Sequence, residues 1–397
     1  MKSLDKRETP QLAEYEKCTG CFACAEICPK KAIDTFINDE GHYAVDVNLE
    51  KCIHCGMCEK VCNNARTQYG CNDLSLSCVY AGYTTDEKLR RNATSGGVFA
   101  ALAKAIIMNG GVVAGASFDG TYAKHILIDK IEDIVKLQGS KYTPSSMKGI
   151  YKKIERELPN RKVLFSGTGC QVAAILAYFE RSKYFDNLFT VDLICGGVPS
   201  IELVRKFNEH NHCKIKSFRN KDKYELSVVT EDGDLKIVPR KNLPLDGFAY
   251  EMTNRLSCYD CQFAFCHRKS DITIGDLWDK SVMPNDHKKG ISTIIVHNER
   301  AKRFLLDSEV NMKIVPWRNV LKSNPRVSVG DNKIYAQRKH LRENITKLPY
   351  DTFERIYFQS PTKTDFVQII LKLYRHFSYR LVRNDRQKKV EKLLDGR

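Results

Sequence analysis

Two stretches decide how the front of this chain folds. They are Cys18-Thr19-Gly20-Cys21-Phe22-Ala23-Cys24-Ala25-Glu26-Ile27-Cys28 and, thirty-four residues on, Cys52-Ile53-His54-Cys55-Gly56-Met57-Cys58-Glu59-Lys60-Val61-Cys62. Each reads C-x2-C-x2-C-x3-C, so the segment is an internal repeat. Soft thiolates at this spacing suit iron-sulfur clusters. Zinc sites pair cysteines two at a time across a longer gap, and three cysteines within seven residues would crowd one another in a disulfide framework.

In two-cluster bacterial ferredoxins the fourth cysteine of each run ligates the other cluster. The pattern therefore assigns one [4Fe-4S] cluster to Cys18, Cys21, Cys24 and Cys62, and the other to Cys52, Cys55, Cys58 and Cys28. Pro29 follows the first run, while Asn63 follows the second, which relaxes the turn without removing a ligand. Residues 10–70 are expected to form this ferredoxin-like module. Between the runs, residues 32–36 and 42–47 alternate as two short strands around a turn at 38–41. Cys71 and Cys78 fit neither run and read as core or surface thiols.

At 397 residues the chain has room for two or three domains and a sizeable core. Its 42% hydrophobic and 28% charged content excludes disordered and fibrous classes. Lys and Arg number 64 against 48 Asp and Glu, a formal charge of +16. Such a charge suits nucleic acid, anionic lipid or an acidic redox partner such as a ferredoxin. No zinc-finger spacing or aromatic RNA-binding signature accompanies it, so nucleic acid is set aside. The opening MKSLDKRETP has no apolar core, and no run is long enough to span a bilayer. With half of sixteen cysteines in cluster spacing, the expected compartment is a reducing cytoplasm.

From Cys78 to about residue 330 strands and helices alternate. Residues 79–83 read as a strand. Thr94-Ser95-Gly96-Gly97 then precedes Val98, Phe99, Leu102, Ala105 and Ile106 at helical spacing, placing Ser95, Gly96 and Gly97 at a helix N-terminus where an anion is favoured. Residues 112–116 and 125–128 read as strands and 147–158 as an amphipathic helix. Two strand-turn-helix units follow. Residues 162–165 lead through Ser166-Gly167-Thr168-Gly169 into a helix beginning at Cys170, and 189–194 lead through Cys195-Gly196-Gly197 into a helix at 199–208. Both cysteines thus face the crevice where α/β proteins place ligands. Residues 214–240 alternate about Asp232-Gly233, a hairpin signal, and 271–277 and 292–296 are strands. Cys258-x2-Cys261 supplies two further thiolates, with Cys170 and Cys195 the best candidates to complete a third cluster and Cys266 in reserve. His125 and His267 read as structural or exposed.

Residues 335–397 form a basic helical tail. Phe366, Ile370, Leu373, Phe377 and Leu381 recur at helical spacing, and residues 361–397 hold ten Lys or Arg against four Asp or Glu. Packing on its own domain or on a partner is the usual destination of such a face, and peripheral membrane contact is the alternative.

The segments TSGGVFAALAKA (94–105), GSKYTPS (139–145), VLFSGTGCQVA (163–173), VDLICGGVPS (191–200), LSCYDCQF (256–263) and DITIGDLW (271–278) resemble motifs of the beta subunits of coenzyme F420 hydrogenases and dehydrogenases. The resemblance spans residues 10–325. It implies a small ferredoxin-like α+β module followed by a mixed α/β domain that binds FAD beside a third [4Fe-4S] cluster held by Cys170, Cys195, Cys258 and Cys261. By the same resemblance Ser95, Gly96, Gly97, Lys141, Asp271, Gly275 and Asp276 belong to the flavin side. Gly169 stands where the family usually has proline, and Gln262 where deazaflavin-using members tend to carry an acid. No side chain is singled out as catalytic.

The function this implies is an iron-sulfur flavoprotein passing electrons between a ferredoxin or other redox protein and a small-molecule hydride acceptor or donor, the deazaflavin or another substrate. Clusters carry single electrons, and a flavin converts them to pairs. Lys141 reads either as stabilising negative charge there or as a solvated lysine. A reductase of surface-polysaccharide assembly and a non-catalytic electron-transfer subunit are the rival readings.

Overall fold

The computed structural model describes residues 10–62, 74, 77–219, 223, 225–238, 242–264, 268–327 and 338–358. Cys71, Cys266, His267 and the tail face from Phe366 to Leu381 lie outside them.

In chain order the strands are β1 (Ile33–Ile37), β2 (Tyr43–Val47), β3 (Cys78–Thr84), β4 (Val112–Phe118), β5 (Ala123–Ile128), β6 (Ser145–Ser146) and β7 (Val163–Thr168). They continue with β8 (Leu188–Leu193), β9 (Cys213–Ser217), β10 (Leu226–Thr230), β11 (Leu235–Val238), β12 (Ile272–Asp276), β13 (Ser292–Val296) and β14 (Val310–Ile314). β1 and β2 form the expected hairpin between the cysteine runs, pairing Ile33 with Val47 and Ile37 with Tyr43.

Nine strands share one mixed sheet in the order β14-β3-β13-β12-β8-β7-β4-β5-β6. At its centre β12, β8, β7 and β4 run parallel. Thr168 and Ile274 both lie opposite Leu193, so β7 and β8 end level and β12 runs two residues past them to Asp276. Ligands in such sheets bind outside the carboxyl ends.

Successive strand residues point to opposite faces, and the two cores follow. Val113, Leu164 and Val191 pack on one side against Val98, Leu102 and Ile106 of the Val98–Met108 helix. Val112, Ala114, Val163 and Phe165 pack on the other against Tyr151 and Ile154 of the Ile150–Glu157 helix and Val172 and Ile175 of the Gly169–Phe179 helix. Ala23 and Val61 of the cysteine-run module enter this second core. Burying each of the Val, Leu, Ile and Phe side chains contributes about 1.5–3 kcal/mol.

The helix expected over 147–158 begins later, at Ile150, because Gly149 adopts φ 78 at its N-cap. The one expected over 199–208 is Glu202–His210. The Asp232-Gly233 hairpin is present between β10 and β11, with Gly233 at φ 88. β14 is unforeseen because three of its five residues are exposed, leaving little alternation. So is the Leu243–Tyr250 helix, which starts on Asn242 as cap with Pro244 in its first turn. Of the expected tail, the helices Arg338–Asn344 and Tyr350–Tyr357 are described; Leu341, Ile345 and Phe353 pack on Leu203 and Leu243.

Candidate functional site

The two cysteine runs fold alike. In each, the residues flanking the second cysteine are left-handed: Gly20 (φ 64) and Phe22 (φ 63) around Cys21, His54 (φ 51) and Gly56 (φ 70) around Cys55. Each run then enters one short helix, Ala23–Ile27 or Met57–Val61. Left-handed turns of this kind aim backbone N–H groups inward, and Gly20 N–H donates to Cys18 Sγ at 3.4 Å.

The chain brings Cys62 to the first run. Burial pushes the Cys21 thiol up to about 11, and the charges of Cys18 and Cys62 add to it. Cys24 is driven well above the usual thiol range by burial and then by Cys21, Cys18 and Cys62. Cys58 rises to about 11, again through burial first, with a contribution from Cys28. Cys28, Cys52, Cys55 and Cys58 line a cavity of about 400 Å³. Sulfur also accepts from Ala13 N–H at Cys62 and Ala32 N–H at Cys28, both at 3.3 Å. Such bonds orient ligands and tune a cluster.

A third group forms at the carboxyl ends of β7 and β8. Thr168 caps the Gly169–Phe179 helix in a reciprocal box with Gln171, whose Oε1 accepts from Thr168 N–H at 3.0 Å. This fixes Cys170 in the first helical turn, with Thr168 Oγ1 3.1 Å from its sulfur. Cys195 follows β8, and its sulfur accepts from Gly197 N–H at 3.4 Å. Cys258 and Cys261 come from the loop opened by the Leu256–Cys258 turn. The four sulfurs sense one another: Cys170 is raised far up by burial, then by Cys261, Cys195 and Cys258. Cys258 is pushed up to about 12 by burial, then by Cys261 and Cys195. Among the described residues no three His, Cys, Asp or Glu close on a single ion. A cubane spreads four thiolates over four irons and needs no such convergence.

Buried cations stand around this group. Arg326 donates to Cys195 O at 3.4 Å and Cys258 O at 3.0 Å. Arg268 pairs with Asp192 at 2.6 Å, and both side chains are almost wholly buried. Asp192 also accepts from Ser270 at 2.7 Å and from Thr273.

Cys195 also lines a cavity of about 340 Å³ over the strand ends. Ser95, Gly97, Lys141, Gly275 and Asp276 share its wall. The glycine turn is at the expected helix N-terminus, with Gly97 at φ 78 as N-cap. Gly96 N–H is already taken by Ser292 Oγ at 3.0 Å, so an anion at this turn would have to meet the first N–H groups of the helix. Lys141 is not a solvated lysine. Its ammonium donates to Leu137 O and Gln138 O, both at 2.8 Å, and burial pulls it down to about 7.

Asp271 does not belong to the cavity. It precedes β12 at the strand's opposite end and accepts from Thr190 N–H at 2.8 Å, Thr190 Oγ1 at 2.9 Å and Arg300 at 2.7 Å. Sequence reasoning missed Arg219, whose guanidinium joins Asp276 at the cavity wall. His125 is a core residue, stacked on Phe165 at 5.2 Å and held down to about 4 by burial. Cys78 is exposed.

Residues 79–152 match the family model described as "Coenzyme F420 hydrogenase/dehydrogenase, beta subunit N-term", and residues 160–315 match its carboxyl-terminal counterpart. The chain belongs to the coenzyme F420 hydrogenase/dehydrogenase beta-subunit family. Residues 17–65 of this beta-subunit relative match a 4Fe-4S dicluster domain, and it is an iron-sulfur protein of the electron-transfer oxidoreductase type. It is 24% identical over 269 residues to the coenzyme F420 hydrogenase subunit beta of Methanococcus voltae, covering 65% of this chain and 90% of that one. It is 35% identical over 73 residues to an iron-sulfur subunit of the CoB–CoM heterodisulfide reductase of Methanocaldococcus jannaschii, covering 15% and 11%. A chain of the F420-reducing [NiFe] hydrogenase complex from Methanosarcina barkeri superposes with a TM-score of 0.46 at 18% identity, covering 73% of this chain and 93% of that one. No helix among the described residues is long and apolar enough to cross a membrane.

Proposed function

We propose that this protein is a flavin-dependent converter between one-electron and two-electron carriers. One observation carries the reading: Cys195 belongs at once to the four-cysteine group and to the wall of the 340 Å³ cavity. An electron held at that group is therefore beside whatever the cavity binds.

In this reading the three cysteine groups hold three [4Fe-4S] clusters. Cys18, Cys21, Cys24 and Cys62 hold the inner one of the ferredoxin-like module, Cys28, Cys52, Cys55 and Cys58 the outer one, and Cys170, Cys195, Cys258 and Cys261 the third. Cys55 is exposed, so a redox protein meets the outer group first. The inner group adjoins the third, since Ser257 Oγ donates to Cys18 O at 3.1 Å. The cavity takes FAD, with Ser95 and Gly97 forming one wall and Gly275 and Asp276 another, while Gly96 lies behind the turn against Ser292. Bound flavin supplies the exchange of two single electrons and a proton for one hydride. Lys141 Nζ, held near neutrality in its pKa, can keep or release a proton at the wall. The small-molecule hydride partner is the F420 deazaflavin or an equivalent two-electron acceptor.

Anaerobically purified protein should hold about twelve iron atoms, four for each cluster, and one FAD. Iron with no flavin would favour a non-catalytic electron-transfer subunit. Incubation with a reduced ferredoxin and the oxidised deazaflavin then tests the hydride partner directly.

A further inference from the structure

Arg255 is 5% exposed and lies where the ferredoxin-like module meets the sheet domain. Its Nη1 donates to Cys18 O at 3.2 Å and its Nη2 to Tyr43 O at 2.6 Å. Its own backbone is pinned, with Arg255 N–H donating to Val198 O at 3.0 Å and Arg255 O accepting from Cys258 N–H at 2.9 Å. Thus one guanidinium touches the main chain of the first cysteine of the inner group, and its backbone bonds to a cysteine of the third. Its charge also reaches the Cys258 sulfur.

The side chain bonds carbonyl oxygens, and among the described residues it enters no ion pair with a carboxylate. A buried guanidinium held by carbonyls alone is costly unless negative charge stands near. The four thiolates around an oxidised [4Fe-4S] core leave a net charge of about 2−, and Arg255 has such a group on either side. Space has been made for it. A Cβ at Gly20 would come within 2.7 Å of Arg255 Nη2. His54 occupies the matching place in the second run.

We infer that Arg255 is a shared counter-charge for the inner and third clusters, a positioning residue that binds the module to the sheet domain and raises the reduction potential of both. The inference rests on the three-cluster reading above. The outer cluster, beyond the inner one, serves as an internal reference.

The test is redox titration, followed by low-temperature electron paramagnetic resonance, of full-length R255Q, R255M and R255K beside S257A. S257A removes the neighbouring bond to Cys18 O without touching charge. In R255Q or R255M with full iron, two of three clusters should shift to more negative potential while the remaining cluster signal stays in place. R255K and S257A should keep wild-type potentials. Unchanged potentials in an iron-replete neutral variant would overturn the inference, as would an equal shift in S257A or R255K. If both neutral variants lose iron, retention of all iron in R255K supports a requirement for charge, and loss in R255K overturns it. Wild-type protein with about eight irons instead sinks the three-cluster reading itself, whatever Arg255 does.

Discussion

Arg219 grips both carboxylate oxygens of Asp276, Nη1 to Oδ2 at 2.8 Å and Nη2 to Oδ1 at 2.9 Å, joining the loop after β9 to the end of β12. Nη2 also donates to Thr94 O at 2.9 Å, next to the Ser95-Gly96-Gly97 turn. One side chain therefore ties three segments of the cavity wall together. The guanidinium is 3% exposed and the carboxylate 26%. Removing the acid strands the more buried charge, so D276A should cost more than R219M. We expect about 3 kcal/mol for D276A and about 2 for R219M in denaturant unfolding, with FAD content reduced in both. The reverse order would mean the pair is not the main tie.

Asp276 was legible in the sequence and Arg219 was not, for a physical reason. DITIGDLW is a short strand with a recognisable ending, whereas Arg219 is one arginine fifty-seven residues away, in the loop after β9, a strand of a separate three-stranded sheet. The same strand explains the misplacement of Asp271. Five residues of β12 at about 3.3 Å each separate the ends by some 16 Å, so a motif read as one patch has one end in the cavity and the other at the far end of the strand. Spacing did place Cys62 beside Cys18, Cys21 and Cys24, because the repeat itself encodes the crossing. It placed Cys170 and Cys195 at the strand ends for a similar reason, since each follows a buried parallel strand.

Gly96 offers a test of the turn. An added Cβ there would strike Gly82 O and approach Ser292 N to 2.8 Å, backbone atoms of two paired strands that cannot move cheaply. G96A should cost about 1–3 kcal/mol, read as a lowered midpoint in thermal unfolding. At Gly196 the nearest atom to an added Cβ is Phe248 Cζ at 3.6 Å, ordinary contact. G196A should therefore leave the unfolding midpoint in place, and an equal loss in both would contradict the geometry.

The crossed cysteine assignment separates cleanly by mutation. C62A should lower iron to about eight atoms per chain and abolish the inner cluster, while C28A should lower it equally and abolish the outer one. Electron paramagnetic resonance of the two reduced variants must then show different surviving module signals. A C62A spectrum that matches C55A rather than C21A would mean that each run ligates its own cluster.

Lys141 gives the pH dependence. Its folded pKa is about 7 against an ordinary value of 10.5, lowered by burial. Between those values the unfolded chain binds more protons at this site than the folded one, so stability rises with pH across the window and the contribution levels off above it. Below pH 7 both states are charged and the full cost of burying the ammonium is present. K141M, which keeps the buried stem without the charge, should thus be more stable than wild type near pH 6 and lose that advantage progressively from pH 7 toward 10. Urea unfolding of both proteins at a series of pH values measures the difference. A gap that widened as pH rose would mean that the bonds to Leu137 O and Gln138 O outweigh burial and hold the lysine charged.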